Sequence, residues 1–163
     1  MTFILFISFL IFLRIEELLL SNRNGKWLRE NGAVEYGSKH YPFIVALHVL
    51  FFLSLIFEYT VQQNHSFSIL LLFFYFLLLA FKIWIIASLG KFWNTRIFRV
   101  LTMPLVKRGP YKYFKHPNYA VVIAEIAVIP MIFNLYITAI VFTLLNLVVL
   151  FVRIKEENKV LQQ

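Results

Sequence analysis

Long apolar runs separated by short polar segments form the main pattern of the chain. A membrane-spanning helix needs about 20 predominantly apolar residues, and residues 2–20, 43–61 and 67–89 each provide such a run. A fourth run, 119–152, would be about 51 Å long as one helix, longer than a hydrocarbon core of about 30 Å. Pro130 and Asn134 favour a turn within it. The pattern therefore predicts an all-α integral membrane bundle of five transmembrane helices, the last two forming a short helical hairpin.

The basic residues between these runs follow an alternating pattern. Segments 21–42 and 90–118 and the tail after residue 152 hold fourteen of the sixteen Lys and Arg residues. The connections at 62–66 and near Asn134 hold none. Because cytoplasmic loops are enriched in Lys and Arg, we expect a multi-pass protein of the cell membrane with the N-terminus outside and the C-terminus in the cytoplasm. With no internal repeat or linker, residues 1–163 are predicted to form a single membrane-embedded domain.

Composition excludes several classes of function. Hydrophobic residues make up 61% of the chain, against about 45–50% in soluble proteins. The chain has no cysteine, so cysteine nucleophiles and thiolate metal sites are excluded. Its four histidines lie far apart in sequence, which predicts no metal centre: His40, His48, His65 and His116. A net charge of +8 is explained by basic anchors facing anionic membrane lipids rather than by nucleic-acid binding.

The segment 90–118 has the greatest density of unusual residues. Gly109 and Pro110 predict a turn, and Pro117 suits the first position of a helix. His116 would then stand at the helix cap, where free N–H groups favour an anion. The alternative is a belt of basic and aromatic residues at the membrane interface. The residues alone leave both interpretations open.

Charged residues near the last two predicted helices form a second concentration. Arg153 and Glu157 are four residues apart and therefore share one helix face, although a modest ion pair at a frayed helix end would look the same. Glu125 is a carboxylate within a predicted span, on the same face as Asn118. Such groups are costly and usually face a cavity or a partner, and Lys82 is the alternative partner.

Four ordered stretches resemble one known family. They are LGKFWNTR at 89–96, GPY at 109–111, KHPNY at 115–119 and RIKEE at 153–157. Together they resemble the isoprenylcysteine carboxyl methyltransferase family, whose pattern runs L-G-x-x-W-x-x-R, G-x-Y, R-H-P-x-Y and a hairpin ending in R-I-x-x-E-E. The resemblance covers residues 84–161, and the short chain is similar to small bacterial members that O-methylate long-chain alkylpyrones or alkylresorcinols. Lys115 replaces the first Arg of the pattern, and Asn158 replaces its last Glu.

The resemblance implies an S-adenosylmethionine-dependent methyltransferase that acts on an acidic oxygen, a carboxylate or an enol or phenol, of a lipophilic substrate. It implies that Arg153 and Glu157 carry the chemistry. The cofactor positions it implies are Met103, Pro104, Leu105, Val106, Tyr111, His116, Pro117, Asn118, Tyr119 and Glu157. The substrate positions are Trp93, Arg96, Glu125 and Arg153. The absence of any G-x-G sequence agrees with a cofactor bound outside a Rossmann domain.

Two alternatives remain from the sequence. Membrane sterol reductases share a similar H-P-x-Y hairpin and bind NADPH, so an enzyme of that class is the first alternative. A non-enzymatic membrane scaffold or transporter subunit is the second. The chain has no inverted repeat or polar stripe that would favour transport.

Overall fold

The computed structural model describes residues 1–64 and 66–161. Within this part of the chain there are five α-helices and one two-stranded ribbon. The helices are α1 (Thr2–Glu30), α2 (Tyr41–Val61), α3 (Ile69–Leu89), α4 (Pro117–Met131) and α5 (Tyr136–Leu161), and the strands are β1 (Val34–Tyr36) and β2 (Ile97–Arg99). His65, one of the four dispersed histidines, lies outside the described residues.

The fold is an all-α membrane bundle, as predicted. Three helical stretches are long and apolar enough to cross a membrane: Ser38–Val61, Ile69–Phe92 and Tyr136–Val160. Large apolar side chains on them, such as Phe57, Ile69 and Val148, are exposed, as lipid-facing side chains would be. The helix α1 carries three charged residues in its middle and α4 has 15 residues, so their crossing of the bilayer stays a prediction.

The helix α1 extends ten residues beyond the predicted run and ends at Glu30. Segment 21–42 was predicted to be a cytoplasmic connection, but its first part is helical. The Asn24-Gly25 pair, a common turn signal, does not end the helix because both residues are buried against the connection that follows α3. The extension is packed rather than solvated, since Ser21, Asn24, Gly25 and Leu28 are buried. These residues contact the connection that follows α3, as described below.

The last two helices form the predicted hairpin. The connection passes through Asn134, whose φ of 57° is the left-handed conformation that asparagine tolerates better than most residues. The N–H of Leu135 donates to the Pro130 carbonyl over 3.0 Å. Glu58 of α2 accepts from the N–H groups of Ile137 and Thr138 over 3.0 and 2.7 Å. A carboxylate thus satisfies the free N–H groups at the start of α5.

Aromatic side chains pack the helices together at the hairpin end of the bundle. Phe3 of α1 stacks on Tyr59 of α2 with ring centroids 3.7 Å apart, and its edge contact with Phe133 spans 5.0 Å. Phe6 contacts Tyr75 of α3 edge-on at 5.4 Å. Edge-to-face pairs of this kind stabilise packing by about 0.5–1.5 kcal/mol each beyond the area they bury. This cluster fixes α1, α2 and α3 against the hairpin.

A buried charge cluster connects three helices in the middle of the bundle. The ammonium of Lys82 on α3 contacts Glu17 of α1 and lies 2.9 Å from the Glu125 carboxylate of α4. Glu17 also accepts from Arg14 over 2.8 Å. Glu125 therefore has the Lys82 partner that the sequence offered as its alternative. The charges of the four groups balance, so none is buried unpaired.

The two strands pair antiparallel, with Glu35 opposite Phe98. The sequence analysis did not predict them, because three-residue strands are too short to show an alternating pattern. The ribbon joins the connection after α1 to the connection after α3. It lies where the C-terminal ends of α1, α3 and α5 meet the start of α2, and the candidate site lies beside it.

Candidate active site

The connection after α3, which carries the LGKFWNTR stretch, is fixed in place by α1. The amide of Asn24 donates to the carbonyls of Gly90 and Trp93 over 3.1 and 2.7 Å. Ser21 and Asn94 bond reciprocally, from the Ser21 hydroxyl to Oδ1 over 2.9 Å and from Nδ2 to the Ser21 carbonyl over 2.7 Å. Because these bonds are buried or partly buried, they hold Trp93 and Arg96 at defined positions.

The GPY stretch forms a tight turn against α3. Gly109 has a φ of +52°, and a Cβ at this position would collide with the Ser88 side chain of α3. Both the conformation and the space therefore require glycine here. The turn is followed by Tyr111 and leads to Pro117, which begins α4 as predicted.

Arg153, Tyr119 and Glu157 form a continuous hydrogen-bonded chain. Arg153 Nε donates to the Tyr119 hydroxyl over 2.8 Å, and Arg153 Nη2 donates to the Thr95 carbonyl over 2.6 Å. The Tyr119 hydroxyl in turn donates to Glu157 Oε2. Arg153 and Glu157 share the face of α5 that the sequence predicted. They are linked through Tyr119 rather than directly paired.

His116 is held between two residues of α5. Its Nε2 lies 3.1 Å from Asn158 Oδ1, and its Nδ1 lies 3.6 Å from Glu157 Oε2. The ring also stacks on Tyr119 with centroids 5.3 Å apart. Asn158, which replaces the last Glu of the family pattern, therefore orients His116. Glu156 bonds instead to Lys159 over 2.7 Å on the exposed side.

Two adjoining cavities open around this chain of residues. We call the first the polar cavity: it measures about 110 Å³ and is lined by Trp93, Arg96, His116, Asn118, Tyr119 and Arg153, among others. We call the second the apolar cavity: it measures about 320 Å³ and is lined by Leu28, Val100, Met103, Pro104, Leu105 and Val106, among others. Tyr111, Lys115 and Glu157 line both. The larger cavity reaches the usual size of small-molecule sites, about 300–1,000 Å³.

Two residues that line the polar cavity each have a buried polar atom with no hydrogen-bond partner among the described residues. These atoms are the acceptor Asn118 Oδ1 and the donor Trp93 Nε1. Leaving a buried polar atom unsatisfied costs about 1–3 kcal/mol, so such atoms commonly await a ligand or water. Asn118 and Glu157 line the same cavity, and together with an apolar cavity of this size they would fit a ligand that carries an ammonium or sulfonium group and a flat aromatic ring, as S-adenosylmethionine does.

Charged and phenolic groups around the cavities have displaced pKa values. Partial burial alone would raise the pKa of Glu35, but hydrogen bonds from Arg29 and Arg96 outweigh it and hold that pKa below its usual value. Burial, together with the charge of Glu157, raises the pKa of the Tyr111 hydroxyl. Tyr111 therefore stays neutral and Glu35 stays ionised at neutral pH.

The structure does not bring every predicted site residue to these cavities. Glu125 lies with Lys82 and Glu17 in a separate cavity of about 60 Å³ within the bundle, so it is not beside Arg153. Pro117 supports Asn118 and Tyr119 as the first residue of α4. Free N–H groups were expected at the start of α4, but one of them, the N–H of Tyr119, donates to the His116 carbonyl over 3.2 Å.

Sequence reasoning missed several residues that shape the site. Glu35 and Tyr41 contact Arg96, and Ser21 and Asn24 fix the connection after α3. All four precede the stretches that resemble the family. The only signal was the three-residue spacing of Ser21 and Asn24, which places two small polar side chains on one helix face.

Comparison with known proteins agrees with this geometry. The model of the isoprenylcysteine carboxyl methyltransferase (ICMT) family matches residues 68–163, which include the stretches at 89–96, 109–111, 115–119 and 153–157. The chain belongs to the ICMT family. Membership of this family implies a membrane methyltransferase.

Relatives of the chain extend the similarity beyond the family match. The chain is 44% identical over 164 aligned residues to "Uncharacterized protein YpbQ" of Bacillus subtilis, covering 99% of this chain and 97% of that protein. It is 29% identical over 153 residues to an "Uncharacterized protein" of Haemophilus influenzae, covering 90% and 87%. No solved structure matches the chain significantly. Because it covers 99% of this chain, the similarity to YpbQ extends well into the first 67 residues, which the family match leaves out.

Proposed function

We propose that this ICMT-family protein transfers the methyl group of S-adenosylmethionine to an acidic oxygen of a lipophilic acceptor. The observation that carries the proposal is the bonded chain from Arg153 through Tyr119 to Glu157. It places a fixed cation and a fixed anion in the lining of one cavity, 110 Å³ in volume. Opposite charges in one cavity lining suit a positively charged sulfonium donor and an anionic acceptor.

The cofactor's adenosine would occupy the apolar cavity. Met103, Pro104, Leu105 and Val106 line this cavity, and their apolar surfaces suit a flat adenine ring. When bound, S-adenosylmethionine supplies an electrophilic methyl group on a positively charged sulfur. Glu157 and the ring face of Tyr111 would attract that positive charge.

The amino-acid end of the cofactor would lie in the polar cavity. Asn118 Oδ1, which has no other partner among the described residues, would accept from the ammonium group. Trp93 Nε1, at a position that the resemblance assigns to the substrate, has no partner there either and would donate to an oxygen of the acceptor. His116 is kept against Glu157 by Asn158. Asn118, His116 and Glu157 would bind and orient the cofactor, and they need not change protonation state.

The acceptor's acidic oxygen would be held by Arg153. The Tyr119 hydroxyl accepts from Nε and the Thr95 carbonyl accepts from one N–H of Nη2. The N–H groups of Nη1 and the second N–H of Nη2 are left for the acceptor. An acid with a pKa below 7, such as a carboxylate, arrives ionised, so no residue has to remove its proton. Arg153 then needs only to position the oxygen and stabilise its charge until the new bond to carbon forms.

The surroundings account for a lipophilic acceptor and for a single domain. Helices α2, α3 and α5 expose apolar side chains such as Phe43, Trp84 and Val152, so an apolar tail can stay in the bilayer while its head enters the site. Residues before the family match hold the connection that carries Trp93 and Arg96. We therefore propose one membrane-embedded methyltransferase domain over residues 1–163.

Ligand binding to purified protein in lipid nanodiscs tests this function. Calorimetry should give micromolar affinity for S-adenosylmethionine or its demethylated product, about −8 kcal/mol. NADPH, the cofactor of the alternative enzyme class, should not bind. Binding of NADPH without S-adenosylmethionine would favour the reductase alternative. Binding of neither by folded protein would exclude the proposed cofactor.

A further inference from the structure

Arg96 and Arg153 border two spaces at once. Both line the polar cavity, and both line a gap of about 20 Å³ on the side of α2, which we call the side gap. Its lining also includes Glu35, Tyr41 and Ile44, all from outside the family match. A gap of this size has room for about one water molecule. The two guanidinium groups thus form the wall between the polar cavity and the start of α2.

Tyr41 contacts Arg96 directly and is linked to Arg153 through Thr95. Its ring lies under the Arg96 guanidinium, 4.6 Å from centroid to Cζ. Its hydroxyl lies 3.2 Å from Thr95 Oγ1, and the carbonyl of the same threonine accepts from Arg153 Nη2 over 2.6 Å. Arg96 Nη1 donates to Glu35 Oε1 over 3.0 Å. A long side chain that is about one-third exposed is thereby kept in one orientation before any acceptor binds.

We propose that Tyr41 is a positioning residue that sets Arg96 beside Arg153, so that the acceptor's acidic group is held by two guanidinium groups. This inference rests on the proposed function. The aromatic face fixes the plane of Arg96 without neutralising its charge. The N–H groups of Arg96 that do not bond to Glu35 are then available toward the polar cavity. The first third of the chain would thus take part in acceptor recognition.

Two fixed guanidinium groups define the chemical class of the acceptor. They favour an acceptor that arrives ionised and presents two oxygens, because each guanidinium binds a planar pair of oxygens best. A lipid carboxylate has this form, and so does the enolate of a 4-hydroxy-2-pyrone with its ring carbonyl nearby. A neutral phenol has a pKa near 10 and presents one oxygen, so it would gain little from the second arginine.

A matched pair of lipid probes tests the inference without knowledge of the natural acceptor. The probes are N-acetyl-S-farnesylcysteine and its methyl ester, which share a tail and differ in one negative charge. Dissociation constants are measured in detergent with the demethylated cofactor bound. Because partitioning of the tail affects both probes, the ratio of the ester's dissociation constant to that of the acid reports how strongly the protein binds the negative charge. We call the proposed binding position between Arg96 and Arg153 the anion seat. The wild type should prefer the acid by about tenfold or more, about 1.4 kcal/mol.

Charge-neutral substitutions at Tyr41 then separate positioning from general damage. Tyr41→Leu should reduce the preference for the acid to below about threefold, whereas Tyr41→Phe, which keeps the aromatic face, should retain most of it. Arg96→Gln should reduce the preference equally, and Tyr41→Leu should have no further effect in that background. Such non-additivity is the signature of a residue that acts through another.

Each other outcome overturns the inference. A wild type that binds acid and ester equally has no two-arginine seat. A Tyr41→Leu variant that keeps the preference, or that lowers it further in the Arg96→Gln background, does not act through Arg96. Calorimetry of S-adenosylmethionine on the same samples distinguishes this failure from failure of the proposed function. A wild type that binds S-adenosylmethionine but does not prefer the acid contradicts only the two-arginine anion seat. A wild type that does not bind S-adenosylmethionine contradicts the proposed function.

Discussion

Arg153 and Tyr119 contact each other in two ways. The Nε atom of the arginine donates to the tyrosine hydroxyl over 2.8 Å, and its guanidinium carbon lies 5.4 Å from the centroid of the same ring. Tyr119 also donates to Glu157. Its phenol therefore lies between Arg153, the proposed binding partner of the acceptor, and Glu157, the proposed binding partner of the cofactor. The two charged residues can therefore be changed one at a time, with different expected effects.

Loss of the Arg153 charge is expected to abolish acceptor turnover and to spare the cofactor. Arg153→Ala should lose methyl transfer while its affinity for S-adenosylmethionine stays within about threefold of the wild type. Arg153→Lys should recover part of the activity, because an ammonium keeps the charge but not the planar fork. Turnover and calorimetric affinity are measured on each variant. A large loss of cofactor affinity in Arg153→Ala would contradict this division of roles.

Loss of the Glu157 charge is expected to weaken cofactor binding instead. Glu157→Gln should reduce affinity for S-adenosylmethionine about 10- to 150-fold, the value of one charged hydrogen bond of about 1.5–3 kcal/mol. Glu156→Gln is the matched control, because Glu156 bonds only to the exposed Lys159 among the contacts described. Equal affinities in the two variants would contradict the proposed role of Glu157.

Exchange of the two charges tests whether Arg153 and Glu157 act as a simple ion pair. A surface pair, worth at most about 1 kcal/mol, would tolerate Arg153→Glu combined with Glu157→Arg. In our account the exchanged protein is inactive, since the cation would face the cofactor and the anion would face the acceptor. An active double variant would show that the site assignment is wrong.

Local sequence features were sufficient to predict much of the fold. Pro130 and Asn134 indicated the hairpin, and the chain turns through Asn134 in a conformation with φ of 57°. Pro117 indicated the start of α4. The four-residue spacing between Arg153 and Glu157 placed both on one face of α5. Each of these features depends on backbone preferences within a few residues, which a single sequence displays.

Contacts between distant segments could not be predicted in the same way. The pairing of Glu35 with Arg96 depends on a ribbon of three-residue strands, which has no periodic signal. Lys82 reaches both Glu17 and Glu125 because of the way three helices are rotated about their axes. The apolar faces of those helices are too uniform to specify that rotation. The sequence therefore could not decide whether Glu125 faces a cavity or pairs with Lys82.

The buried cluster around Lys82 is expected to affect stability rather than cofactor binding. Lys82→Met should lower the free energy of unfolding by about 3–5 kcal/mol, because it leaves Glu125 buried without its cation. Lys82→Met combined with Glu125→Leu should recover much of that loss. Unfolding is followed in mixed micelles, with Lys159→Met as a control at an exposed pair. A Lys82→Met protein as stable as the wild type would mean that water or lipid headgroups reach the cluster.

The distribution of basic residues predicts which side of the membrane each connection faces. The chain has no cysteine, so single cysteines can be introduced without removing others. Cysteines at positions 64 and 134 should react with an impermeant thiol reagent added to intact cells, and one replacing Lys107 should react only after lysis. Labelling at position 107 in intact cells would reverse the orientation and place the candidate site outside.

Transfer of a labelled methyl group to lipid tests the proposed methyltransferase activity itself. Wild-type protein and the Arg153→Ala variant are incubated in nanodiscs with methyl-labelled S-adenosylmethionine and a lipid extract from the source membranes. We expect a labelled lipid ester or enol ether with the wild type and background label with the variant. Equal labelling by both proteins, or no labelled lipid from a wild type that binds the cofactor, would contradict it.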